Sequence, residues 1–206
     1  LNRFNKDHKS EFSNTLTLLQ NAGATIVDNI ELEHFEKVFP AEFDILLYEF
    51  NLGITSYLSK TDTNVVKSLK GLTEFNKSSG DTKQELLLLA LAATDKDKYN
   101  HAVNTIDKYA KQQLHDLFER YQLDAILAPT TGSAWPIDPI KGDKFTGSSS
   151  TLAAITGSPS ITIPMGLKAN LPYAISVIGN VNDDAQVLAI AQAIEHLTKG
   201  RVPPKL

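Results

Sequence analysis

Apolar residues recur along this chain at two periods, and the change of period divides it. Over residues 11–22, Phe12, Leu16 and Leu19 stand at i, i+4 and i+7, the stripe of an amphipathic helix, and Gly23 offers a stop. The β-branched run ATIVDNI (24–30) predicts a short strand. Phe43, Leu46, Leu47, Phe50, Ile54, Tyr57 and Leu58 trace a long stripe, the strongest helix of the first half. Residues 62–80 are polar and rich in Ser, Thr and Lys, with Val65, Val66, Leu69, Leu72 and Phe75 as anchors. They predict a short helix and a mobile loop. Residues 82–93 predict another helix, with Leu86 to Leu89 as a packed knot.

The second half is more regular. Tyr99, Ala102, Val103, Ile106, Tyr109, Ala110, Leu114, Leu117, Phe118 and Tyr121 form one helical face about six turns long. A strand over 124–128 ends at Pro129, a short apolar helix covers 151–156, and the runs SITIPMG and YAISVIG predict two more strands. The last of these is apolar on nearly both faces, the mark of a strand covered on both sides. Asn182 or Asp183 caps a final helix carrying Val187, Leu188, Ala191, Ile194 and Leu197, ended by Gly200 and the Pro203-Pro204 pair. Helices interleaved with buried strands predict an α/β fold: part of an α/β/α sandwich with a mixed sheet covered by helices. No internal repeat or clear linker interrupts residues 1–206, which predicts a single, partial domain.

Composition narrows the function. The 206 residues are 42% hydrophobic and 21% charged, enough apolar mass for one core. A net charge of −4 without a basic cluster argues against nucleic acid as a partner. The longest apolar run, residues 86–93, is far short of the ~20 a membrane span needs. The chain has no cysteine, so disulfides, thiolate nucleophiles and Cys-based metal sites are excluded. This fits a cytoplasmic setting. The start LNRFNKDHK lacks a methionine, from which we expect missing residues upstream, any signal peptide among them.

Candidate chemistry concentrates around two loops. Gly147-Ser148-Ser149-Ser150-Thr151 has the look of a nucleophile loop, with Lys141 and Lys144 nearby. A serine–lysine pair needs a lysine kept neutral by burial. These two stand among Asp138, Gly142 and Asp143, in a segment expected to be wet. The favoured reading is an N-cap cluster for helix 151–156, with a substrate wall as the alternative. Pro129-Thr130-Thr131-Gly132-Ser133-Ala134-Trp135 lies just past the carboxyl end of a strand, where α/β folds bind ligands. Its hydroxyls and indole suit an amide or peptide pocket; a turn whose Trp packs on the core is the other reading. His8, His34, His101, His115 and His196 show no metal-ligand spacing, and no phosphate-cradling glycine loop is present, so neither metal nor cofactor is expected. Asn76-Lys77-Ser78 is a lone glycosylation sequon.

The stretch LDAILAPTTGSAWPIDPIKGDKFTGSSSTLAAITGSPSITIPMGLKANLPYAISVIG (123–179) resembles the C-terminal part of the amidase signature family, serine amide hydrolases with a Ser–cis-Ser–Lys triad. The resemblance is most specific over 123–197. Upstream, NTLTLLQNAGATIVD is similar to the helix and strand after the family signature, and YEFNLGITSYLS to a helix lining its cleft. The pattern AW-P-ID-P resembles the peptide-amidase-like branch more than the aminoacyl-tRNA amidotransferase branch. The glycine- and serine-rich signature with both serines, and the lysine before it, have no match here. The resemblance therefore implies no catalytic residue in this chain, and a substrate-side role for Thr130, Trp135, Ser149 and Ser150. It implies a C-terminal fragment of an amidase, with the missing N-terminal catalytic half as partner, an amide as substrate of the parent, and a homo-oligomer through an exposed sheet edge as a further state. A non-catalytic binding module on the same scaffold, or half of a two-chain amidase, are the alternatives.

Overall fold

A computed structural model describes residues 9–28, 30–62, 66–80 and 83–203. The chain divides into two compact units, Leu1–Glu33 with Ala110–Leu206, and His34–Tyr109.

The second unit is helical. A 3₁₀ turn (Phe35–Lys37) leads into α2 (Val38–Ser59), followed by α3 (Leu69–Ser78), α4 (Glu85–Ala92) and α5 (Lys96–Ile106). Ser68 caps α3 by accepting from the Gly71 N–H, and Asp95 caps α5 through the N–H groups of Asp97 and Lys98. Side chains join α2 to α5: Lys98 pairs with Asp44 at 2.6 Å, the Tyr99 hydroxyl donates to Glu49, and Tyr48 stacks on Tyr99. Gln84 ties α4 to α3 by donating to the Thr73 carbonyl and accepting from Asn76, so the sequon's amide is engaged inside the unit. The expected packed knot at Leu86 to Leu89 is not formed. Ala90 is the buried residue of α4, while Leu86, Leu88 and Leu89 are exposed. A run of leucines has no apolar stripe narrower than the whole helix, so burial falls where the neighbouring helices touch it. Val65 and Thr82 lie outside the described residues.

The first unit holds the sheet. Its α1 (Lys9–Asn21) stops at Gly23, where φ is +100° and the N–H of Ala24 reaches back to the Leu19 carbonyl. Among the described residues of the run after it, no strand forms. Residues 24–28 have no regular structure, and Asn29 lies outside the described residues. β-Branched composition supplies propensity but no ladder, and a strand without a neighbour has nothing to pair with. Ile26 still packs against the core. The long helical face of the sequence ends in α6 (Gln112–Tyr121), reached from α5 through a π-helical turn over Asp107–Lys111.

Among the described residues three strands form the sheet, β1 (Ile126–Pro129), β2 (Ser160–Lys168) and β3 (Leu171–Ile178), in the order β1-β3-β2. All pairings among the described residues are antiparallel. The hairpin turns at Ala169 and Asn170, both left-handed, as a two-residue connection requires. Both faces of β3 are buried: Ile175 and Val177 on one, Ser176 and Ile178 on the other. Helix α8 (Asp184–Thr198) lays Val187, Ala191 and Ile194 on the first face, with Leu19 of α1, Ile163 and Met165. The α/β class is that of the sequence reading. The expected side-chain cap of α8 is absent: neither Asn182 nor Asp183 bonds the first turn, although Asp184 places a negative charge at its positive end. Pro204 lies outside the described residues.

An ion pair fastens α1 to the hairpin. Lys168 Nζ stands 2.9 Å from Glu11 Oε1, and this bond, with contributions from the Glu11 backbone and Ser10, lowers the Glu11 pKa from 4.5 to about 2. A carboxylate whose folded pKa is depressed stabilises the fold above its unfolded pKa and loses that contribution as pH falls through the folded value. Thermal unfolding followed from pH 4.5 down to 2 should therefore show a steeper loss of midpoint for this chain than for Lys168→Met. Identical pH profiles would remove the pair from the account.

Candidate functional site

The site is built where β1 ends. The Thr130 N–H continues the ladder by donating to the Ala174 carbonyl (3.0 Å), and one residue later the chain leaves the sheet. It returns at Gly147 and Ser148. Thr131 and Ser148 form an isolated antiparallel bridge, while Thr131 Oγ1 and the Gly132 N–H both donate to the Gly147 carbonyl. Residues 132–147 thus form a loop pinched at its base beside Thr130.

Thr130 and Ser149 are in contact. The Thr130 carbonyl accepts from the Ser149 N–H (3.0 Å) and from Ser149 Oγ (3.3 Å). On its other side, Thr130 Oγ1 lies 2.8 Å from Ser176 Oγ of β3. Ser149 and Ser176 are both buried, so each hydroxyl needs its partner. Sequence reasoning missed Ser176; its signal was a lone serine in the apolar strand YAISVIG. Thr130→Val keeps the shape and leaves Ser176 Oγ without that bond. The expected cost is about 1–3 kcal/mol in denaturant unfolding of this chain; an unchanged midpoint would mean that the contact carries no net stability.

The serine turn differs from its expected capping role. Helix α7 spans Ser150–Thr156, and Ser149 at its N-cap makes no side-chain bond to the helix, its hydroxyl being turned to Thr130. Ser148 takes over: its Oγ accepts from the Ser150 N–H at 3.1 Å and donates to Ser150 Oγ at 3.0 Å. Ser150 is exposed. The hydroxyls of Ser148, Ser149 and Ser150 are thereby bonded to one another or to Thr130, and Lys141 and Lys144 are both exposed.

Trp135 does not join Thr130 and the serines by any hydrogen bond. Its indole N–H donates to Asp143 (3.1 Å), and its ring meets Phe145 edge-on at 6.3 Å. Asp138 shapes the loop tip by accepting from the N–H groups of Ile140 and Lys141, which hold its carboxyl below the usual range, Lys141 contributing more. The same turn leaves Ile137 and Ile140 almost wholly exposed, at 96% and 94%. The roles of Asp138 and Asp143 were legible only as part of a turn-like Asp-Pro-Ile-Lys-Gly-Asp run.

No cluster of three metal-ligating side chains occurs among the described residues. His101, His115 and His196 are exposed on helices, and His34 packs edge-on against Tyr109 beside Glu36. His8 lies outside the described residues. No helix among the described residues is long and apolar enough to cross a membrane.

A family model described as "Amidase" matches residues 2–188, and the chain belongs to the amidase signature family. Its fold is similar to that of the native peptide amidase from Stenotrophomonas maltophilia, with a TM-score of 0.84 and 33% identity over 95% of this chain and 41% of that one. An amidase family protein from Bacillus anthracis str. Ames matches with a TM-score of 0.78 and 26% identity, over 98% of this chain and 38% of that one. A glutamyl-tRNA(Gln) amidotransferase subunit from Ehrlichia ruminantium (strain Gardel) is 29% identical over 196 residues, 87% of this chain and 39% of that protein. The chain spans about two fifths of the length of these relatives.

Proposed function

We propose that these residues are the C-terminal part of an amidase, and that they supply part of its sheet and one wall of its substrate cleft. The complete enzyme hydrolyses the C–N bond of an amide, with its serine–serine–lysine chemistry on polypeptide outside these residues. Thr130, Trp135 and Ser150 face the substrate, and Ser149 sets that wall by holding the Thr130 carbonyl. The observation that carries this reading is the hydrogen-bonded knot of Thr130, Ser149 and Ser176 at the carboxyl end of β1, in a chain of the amidase family. The N-terminal catalytic half is the partner. The isolated chain self-associates through its open sheet edge, a recognised route to unintended strand pairing. The absence of cysteine supports a cytoplasmic setting.

In the complete enzyme, Trp135→Ala should raise KM about tenfold with kcat nearly unchanged, since a wall contact made equally in ground and transition states contributes only uniform binding. Steady-state kinetics on a peptide amide checks it. Unchanged constants would return Trp135 to packing with Phe145 alone.

A further inference from the structure

Hydrogen-bond donors gather at Tyr109 with no acid to receive them. Lys37 Nζ donates to the Tyr109 hydroxyl at 3.4 Å and stands 4.7 Å from the ring centroid, while Lys108 Nζ stands 5.1 Å from the same centroid. The phenol oxygen accepts from Lys37, which leaves its own O–H to donate outward. Among the described residues no carboxylate lies within ion-pair distance of either lysine. Glu36, the acid beside Lys37 in sequence, contacts His34 Nδ1 at 3.6 Å, and His34 meets the Tyr109 ring edge-on. The ring face attracts ammonium groups, which accounts for two like charges meeting here. An ammonium has three donors, and a ring contact occupies one direction only. The hydrogen bond from Lys37, with the charges of Lys108 and Lys37, holds the Tyr109 pKa below the ordinary tyrosine value against desolvation.

These groups come from the two ends of the 34–109 unit. Lys37 closes the 3₁₀ turn before α2, and Lys108 and Tyr109 lie in the π-helical turn that follows α5. Lys37 and Tyr109 are 72 residues apart in sequence. Adjacent residues of a regular α-helix do not face each other; within this π turn the Lys108 ammonium reaches the ring of its neighbour. We propose that Lys37, Lys108 and Tyr109 bind a phosphate group, either free in solution or carried by a small molecule. Two ammonium charges match a phosphate dianion, and the phenol O–H adds a third donor from a separate direction. Lysines act as point charges and suit phosphate, whereas a planar carboxylate favours the fork of an arginine. A ligand held this way joins the first and last turns of the unit and stabilises it by mass action. The site uses none of Thr130, Trp135, Ser149 or Ser150, so it stands apart from the amidase reading.

Competition labelling of lysines tests the site residue by residue. The protein at its native length is acylated with a trace of an amine-reactive succinimidyl ester, and the rate at each lysine is read by mass spectrometry. Inorganic phosphate, glycerol phosphate and sodium chloride are compared at equal ionic strength. An anion held by an ammonium favours its charged, unreactive form. With a dissociation constant of about 5 mM, phosphate at about 20 mM should slow Lys37 and Lys108 about fivefold, the factor being 1 + [L]/Kd. The exposed Lys141 and Lys144 should keep their rates. Lys37→Met should remove most of the slowing at Lys108, because one ligand engages both. Stronger protection by glycerol phosphate would support the site and assign a small phosphate ester; stronger protection by inorganic phosphate would support it and assign the free ion. Unchanged rates at Lys37 and Lys108 would overturn the proposal. So would equal slowing of all exposed lysines, or slowing at Lys108 that survives Lys37→Met undiminished.

Discussion

Purified alone, the 206-residue chain should release no ammonia or amine from small amides or amidated peptides. Amide hydrolysis by this route needs a serine whose proton is taken by a neutral, buried lysine, and donors aimed at the oxyanion. The serines of the turn before α7 have their hydroxyls bonded within the turn or to Thr130, and Ser149 is buried. The nearest lysines in sequence, Lys141 and Lys144, are exposed. The expected effect is the whole of the activity. Turnover by the isolated chain that disappears on Ser149→Ala would contradict it and make Gly147-Ser148-Ser149-Ser150-Thr151 a nucleophile loop.

Gly200→Ala should lower the stability of this chain measurably. A Cβ there would stand 2.5 Å from the Pro164 carbonyl oxygen and 2.7 Å from Met165 Cα. The clash is with backbone of β2, which cannot turn away as a side-chain tip could. Either the chain after α8 lifts off the strand or β2 shifts. The φ of Gly200 is not left-handed, so the cost is one of space and not of conformation. Overpacking of this kind costs about 1–3 kcal/mol, which for a chain of this size lowers the thermal midpoint by roughly 2–12 °C. A variant melting within about 1 °C of the parent, under conditions where 1 kcal/mol moves the midpoint by 2–4 °C, would show that this close approach is absent in solution.

Much of the fold was legible because the decisive signals are local. The stripe through Ala102, Ile106, Leu114 and Phe118 marked the helix leading to β1, and the doubly apolar run at Ile175 to Ile178 marked a strand buried on both faces. What failed depends on neighbours. The ATIVDNI run has strand propensity, but a ladder is a property of two segments, and among its described residues it is Ile26 that packs against the core. Leu86 to Leu89 are equally apolar, so nothing in their order says which of them a neighbouring helix will cover. The π-helical turn at Asp107–Lys111 leaves no mark in a pattern that runs on through it. At the site, the sequence located the two loops. It did not reveal that Ser149 turns from the helix to Thr130, leaving Ser148 to bond the first turn, because both residues are serine and the choice lies in the backbone path. The pairing of Trp135 with Asp143 and Phe145 was hidden for the same reason, being set by the closure of the loop at Thr131 and Ser148.

The intact mass of the protein purified from its source decides whether residues 1–206 belong to a longer amidase polypeptide. Since 95% of this 22.6 kDa chain spans 41% of a peptide amidase of the same fold, a single polypeptide of about 52 kDa is predicted on that scaling. That mass, with peptides from residues 1–206 recovered from the same band, is the expected result. A native species of 22.6 kDa, with no larger product carrying these residues, would contradict the account and leave the chain as a module in its own right or as half of a two-chain amidase.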